Sequence, residues 1–182
     1  MKKIFWGLIF LFFDFYISLN TNVLHLLPNF VGYCLILYGV NEIKNFIGDE
    51  TSVPEWFSKI TIACKIMCAV GAVHFLKELL GIRNLDIDSL FSLVFLGGNL
   101  FITFFITEIV FTLQGRYSMP LNGDFLRKVW KICAVISCLS TATLFFMPLL
   151  SGFFGIANSV CAIIFTVYFY KSQKVFGSTA GV

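Results

Sequence analysis

Apolar residues along this chain gather into six runs, separated by charged and turn-forming residues. The runs predict helices over about residues 4–19, 28–43, 58–80, 89–113, 128–147 and 152–170. A helix that crosses a bilayer needs about 20 predominantly apolar residues, range roughly 17–25. The last four runs meet that length. The first two are short and predict either a tight hairpin or a partly re-entrant pair. The expected fold is all-α, a single transmembrane domain over residues 1–182 built as a bundle of about six helices.

The connections carry helix punctuation. Pro28 suits the first turn of the second helix. Ser52-Val53-Pro54-Glu55 reads as a capping box that starts the third helix near Val53. Gly81 stands where a C-cap belongs, and Asp88 or Ser89 can cap the fourth helix. Residues 116–124, with Pro120 and Asn122-Gly123, form a turn-rich loop.

Composition turns this pattern into a statement about solvent. The chain is 58% hydrophobic and 13% charged, holds 23 Phe, and has a mean hydropathy of +0.89. A soluble domain carries about 25% charge, so too little polar surface exists to cover a soluble globule, and the lipid bilayer is the expected partner. No basic cluster interleaved with aromatics points to nucleic acid. The opening apolar run lacks an Ala-x-Ala-like cleavage site and is interrupted by Asp14, which predicts a retained first helix.

Charge sets orientation. With six spans and the N-terminus inside, Lys2, Lys3, Lys44, Lys59, Lys65, Arg116, Arg127, Lys128, Lys131, Lys171 and Lys174 fall on the cytoplasmic side or its interface. Only Lys77 and Arg83 fall outside. Such a bias predicts both termini in the cytoplasm.

Small residues recur every fourth position as Cys64-Cys68-Ala72, Ala134-Cys138-Ala142 and Ser151-Gly155-Ser159. Stripes of this kind let helix backbones approach closely in lipid, so these cysteines read as packing residues. A faint internal echo links Lys3-Ile4-Phe5-Trp6 and Pro28-x-x-x-Gly32-Tyr33 to Arg127-Lys128-Val129-Trp130 and Pro148-x-x-x-Gly152-Phe153.

Ionisable groups inside a membrane cost roughly 2.5–3.5 kcal/mol each by insertion scales, which makes them candidates for function. Asp14 lies about 15 Å along the first helix and Asn99 at a similar depth in the fourth, so the two predict a ligand- or ion-binding pair near the midplane. The alternatives are a neutral carboxylic acid that fixes packing, or, if the first helix is shifted or short, a carboxylate that simply reaches the outer interface. Glu108 is placed at the inner interface, with Lys65 as its expected partner. His74, Lys77 and Glu78 form a polar cluster at the outer end of the third helix. His74 and Glu78 offer two metal ligands where zinc needs three or four, with His25 in the first outer loop as a remote third; an interfacial ion pair is the stronger reading. No His-Glu-x-x-His, Gly-x-Ser-x-Gly or P-loop is present, so no catalytic residue, metal or cofactor is assigned.

Phe12-Phe13-Asp14-Phe15, Leu26-Leu27-Pro28-Asn29-Phe30-Val31-Gly32-Tyr33 and Leu37-Tyr38-Gly39-Val40 together resemble the opening of a group of small, uncharacterised membrane proteins of low-GC Gram-positive bacteria. The match covers about the first forty residues, and Asn29 stands where that group commonly has Asp. The resemblance implies a bacterial cytoplasmic membrane and marks Asp14, Pro28, Gly32 and Tyr33 as motif residues. It carries no activity.

Three readings follow. One is a small-molecule or ion carrier, or the membrane subunit of a transporter. The second is a structural or accessory subunit that packs against another membrane protein or a second copy. The third is an integral membrane enzyme built on the outer cluster.

Overall fold

The computed structural model describes residues 1–13, 16–19, 22–25, 28–48, 54–82 and 84–180, with 16–19, 22–25, 144–146, 148–149 and 179–180 described through the backbone alone. Among them are six helices and one two-stranded hairpin: α1 Lys2–Phe12, β1 Tyr16–Leu19, β2 Asn22–His25, α2 Asn29–Ile47, α3 Trp56–Leu79, α4 Leu85–Tyr117, α5 Gly123–Phe146 and α6 Pro148–Ala180. The chain divides into two compact units, Met1–Ile102 and Thr103–Val182, with the division inside α4.

The first apolar run does not stay helical to residue 19. Helix α1 stops at Phe12, and Phe13 turns extended at φ −114°, ψ 97°. Tyr16-Ile17-Ser18-Leu19 then pairs antiparallel with Asn22-Val23-Leu24-His25, Tyr16 opposite His25 and Leu19 opposite Asn22. Tyr, Ile and Val fit a pleated strand better than a helix, and four pairs close over a two-residue connection. At about 1.5 Å per residue, the 11 residues of α1 span about 17 Å, roughly half a bilayer core. The expected 4–19 span is corrected accordingly.

Three helices are long and apolar enough to cross a membrane among the described residues: Trp56–Leu79, Leu85–Tyr117 and Leu150–Ser178. Helix α6 exposes Phe153, Ile156, Val160, Ile163, Val167 and Tyr170. Their three- and four-residue spacing makes one continuous apolar stripe. Helix α3 exposes Ile62, Ile66, Val73, Leu76 and Leu79.

In the first unit, glycines set the packing. A Cβ on Gly7 would sit 2.6 Å from Ile36 Cγ1 and 2.7 Å from the Gly32 carbonyl oxygen, and one on Gly39 would sit 2.5 Å from Ile4 Cγ1. Only glycine admits so close an approach of α1 and α2. Lys3 Nζ donates to Glu42 Oε1 at 2.8 Å and fastens the other end of the pair. Helix α3 meets α2 at Gly71, whose added Cβ would lie 3.1 Å from the Phe30 nitrogen.

Helix α3 ends as Gly81 predicts. Gly81 takes φ +68°, its N–H donates to the Glu78 carbonyl, and the Ile82 N–H donates to the Lys77 carbonyl, which together make a Schellman motif. Ser52 of the expected capping box lies outside the described residues; α3 begins at Trp56, with Glu55 as its N-cap. Asp88 and Ser89 do not cap α4. Asn84 Oδ1 accepts from the backbone N–H groups of Asp86 and Ile87 at 3.1 and 3.3 Å, so the helix starts a turn earlier and Asp88 is released for another partner.

In the second unit, the 118–122 connection closes through Gln114. Its Oε1 accepts from the Gly123 N–H at 2.7 Å, and its Nε2 donates to Asp124 Oδ2 at 3.0 Å. One side chain thus serves an unsatisfied donor at the start of α5 and orients its first-turn acid.

Candidate functional site

The polar cluster foreseen at the end of α3 forms and gains partners. His74 Nδ1 lies 3.6 Å from Glu78 Oε1, one turn apart, with side-chain exposures of 21% and 19%. Phe91 and Phe95 present their faces and edges to the imidazole at centroid distances of 4.9 and 5.2 Å. Lys77 turns instead to Asp88, to which its ammonium donates, and its nitrogen stands 5.9 Å from the Phe91 ring centre. The Lys77 side chain is only 10% exposed, so Asp88 supplies the charge compensation that burial demands.

A cavity of about 20 Å³ opens beside this cluster, walled by Pro28, Gly71, Phe75 and Phe95 and reached by Asn29, His74 and Glu78. It has room for about one water-sized occupant. Asn29 Oδ1 is buried and accepts no hydrogen bond from the described residues. A buried acceptor left unmatched costs about 1–3 kcal/mol, so the first turn of α2 holds an unsatisfied polar group where the cavity lies. The chain thus brings together an amide oxygen, a carboxylate and an imidazole, a set that suits a hydrogen-bond donor or a small cation. Sequence reasoning missed Asn29 as a site residue. Nothing in its spacing along the chain marked it, because its burial depends on how α2 and α3 pack.

Asn99 has a neighbour in Tyr33 that the sequence did not point to. Tyr33 Oη donates to Asn99 Oδ1 at 2.6 Å, and Tyr33 is fully buried. Asp14, the other half of the expected midplane pair, lies outside the described residues. His25 is described through its backbone alone, in β2. No group of three His, Cys, Asp or Glu able to hold a metal ion occurs among the described residues.

Glu108 pairs with Arg127, correcting the expected Lys65. The guanidinium Nε donates to Oε1 at 2.8 Å and Nη2 to Oε2 at 2.5 Å. The same guanidinium stacks 3.4 Å from the Phe111 ring centre. Lys65 is exposed. Arg outcompetes a compact ammonium at such a site because its planar fork meets both carboxylate oxygens and an aromatic face together. Nearby, Trp130 Nε1 donates to Thr103 Oγ1 at 3.2 Å.

The three small-residue stripes part company. Cys64 is buried and Cys68 half-buried on the side of α3 that meets α2, with Ala72 half-buried beside them. Ala134 and Ser151 are half-buried, whereas Cys138, Ala142 and Ser159 are exposed. A Cβ on Gly155 would meet nothing within 4 Å. Contact between α5 and α6 runs through other side chains, among them Ser137, whose hydroxyl donates to Asn158 Oδ1 at 2.7 Å.

No family model matches this chain, and no curated protein or solved structure matches it.

Proposed function

We propose that this chain is a multi-pass protein of a bacterial cytoplasmic membrane, with both termini in the cytoplasm, that binds and carries a small cation or proton. The apolar stripes on α3 and α6 support the membrane reading, because a soluble protein rarely exposes so continuous an apolar face. The positive-inside bias of the loops supports the orientation. In this reading α2 and α5 cross as well, and α1 with the following hairpin makes up the first, short crossing.

The observation that carries the carrier reading is the unmatched Asn29 Oδ1 at a cavity shared with Glu78 and His74. Two acceptors favour a positively charged or proton-donating occupant, and the volume of about 20 Å³ suits an ion or a water. Histidine adds a group that changes charge near neutral pH. The test is flux through the full chain in liposomes that enclose a pH-sensitive dye, under imposed sodium or potassium gradients. A cation-linked pH change that Glu78→Gln abolishes is expected. Equal leak from protein-containing and empty liposomes contradicts the reading.

A second reading, an accessory subunit, draws on the outward face of Gly155, Ser159, Cys138 and Ala142. Native mass spectrometry from the source membrane in mild detergent separates the two. A stoichiometric protein partner, lost on replacing Gly155 with a bulky residue, supports the accessory role.

A further inference from the structure

Cys34 of α2 and Cys68 of α3 approach to 3.3 Å between sulfurs. Cys68 Sγ also donates to the Phe30 carbonyl at 3.6 Å, which leaves Cys34 as the donor within the pair. Both residues are half-buried, and both are free thiols. The backbones beneath them are close, because an added Cβ on Gly71 would stand 3.2 Å from the Phe30 Cα. The two sulfurs thus already lie in contact, on helices that pack closely within a turn of them; thiols on more widely separated helices cannot be bridged without backbone movement.

From this geometry we infer that Cys34 and Cys68 are a dithiol–disulfide couple that locks α2 to α3 on exchange with a small or protein-borne disulfide. One thiol, as its thiolate, attacks the incoming S–S bond, forms a mixed disulfide and expels one thiol of the reagent. The second cysteine then attacks the mixed disulfide, closes the Cys34–Cys68 bond and expels the other. Two protein thiols are oxidised, one external disulfide is reduced to two thiols, and the two protons pass to those leaving groups. The second step is intramolecular between adjacent sulfurs, so it outruns the attack of a further reagent molecule. Closure joins the helix that bears Asn29 to the helix that bears His74 and Glu78. The inference rests on the sulfur pair alone and stands apart from the carrier reading.

The test uses the full chain in detergent micelles, the membrane-permeant reagent 4,4′-dithiodipyridine, and peptide mapping by mass spectrometry without reduction. The expected product is the Cys34 peptide joined to the Cys68 peptide, at the summed mass less two hydrogens, while exposed Cys138 carries a pyridylthio adduct. In Cys68→Ser the Cys34 peptide is expected to carry the adduct as well, which shows that Cys34 is reachable. Recovery of wild-type Cys34 and Cys68 as separate adducts overturns the proposal. So does a Cys34–Cys64 linkage, because Cys64 stands one turn earlier on the same helix. A linked product that dithiothreitol reverses, with a higher unfolding temperature before reduction than after it, bears the lock out.

Discussion

The phenol of Tyr33 donates a 2.6 Å hydrogen bond to the side-chain oxygen of Asn99, joining α2 to α4 across 66 residues of sequence. Tyr33 is fully buried, so the bond forms where water cannot substitute. Tyr33→Phe keeps the ring and removes the donor. The expected cost is about 1 kcal/mol, more where the acceptor is left unmatched. Thermal unfolding in detergent checks it against Tyr38→Phe, which alters an exposed phenol and should leave stability unchanged.

Glycine substitutions should separate tight contacts from open ones. Gly39→Ala places a methyl 2.5 Å from Ile4 Cγ1 and 2.9 Å from the Ile4 backbone nitrogen, so α1 must shift. Overpacking of this kind costs about 1–3 kcal/mol. Gly155→Ala meets nothing and should be neutral or slightly stabilising through helix propensity. Unfolding midpoints of the two variants, measured side by side, decide the matter.

Arg127→Ala leaves Glu108 without its fork. A fully buried pair broken this way costs about 3–5 kcal/mol. Here the side chains keep 36% and 20% exposure, so solvent screening brings the expectation to about 2 kcal/mol. Arg127→Lys should recover little, because an ammonium can neither bind both oxygens nor stack flat on Phe111. Pairing Arg127→Ala with Glu108→Gln should restore part of the loss, which a double-mutant cycle reads directly.

Asn84→Ala removes the acceptor that serves two backbone N–H groups at the start of α4. Cap loss costs about 1 kcal/mol. Faster hydrogen exchange confined to residues 85–88 should accompany it, with Lys77 and Asp88 still paired. Unchanged exchange there would mean that Asn84 contributes nothing to the cap.

Much of the helical layout was legible because lipid imposes a plain rule: a span must be long, apolar and internally hydrogen-bonded. The runs at 58–80 and 89–113 therefore map onto Trp56–Leu79 and Leu85–Tyr117. The first run misled because β-forming and helix-forming apolar residues look alike to hydropathy; only Tyr16, Ile17 and Val23 hinted at strands. Pairing was harder to read than placement. Glu108 had basic residues from several segments to choose from, and aromatic stacking with Phe111 decided for Arg127. Capping by Asn84 was hidden behind two equally good cap residues, Asp88 and Ser89, yet it is what frees Asp88 for Lys77. The cavity beside Asn29 depends on how Phe75 and Phe95 pack, and no spacing along one chain encodes that.

The most direct test of the account is topology in the living membrane. Reporter fusions active only inside or only outside the cell, placed after Ile47, Gly81, Tyr117, Met147 and Val182, should read inside, outside, inside, outside and inside. That alternation requires α3, α4, α5 and α6 each to cross, and it puts the end of α3, with His74 and Glu78, at the outer face. Matching sides for the Gly81 and Tyr117 fusions would remove α4 as a crossing and contradict the membrane bundle on which the proposed carrier rests.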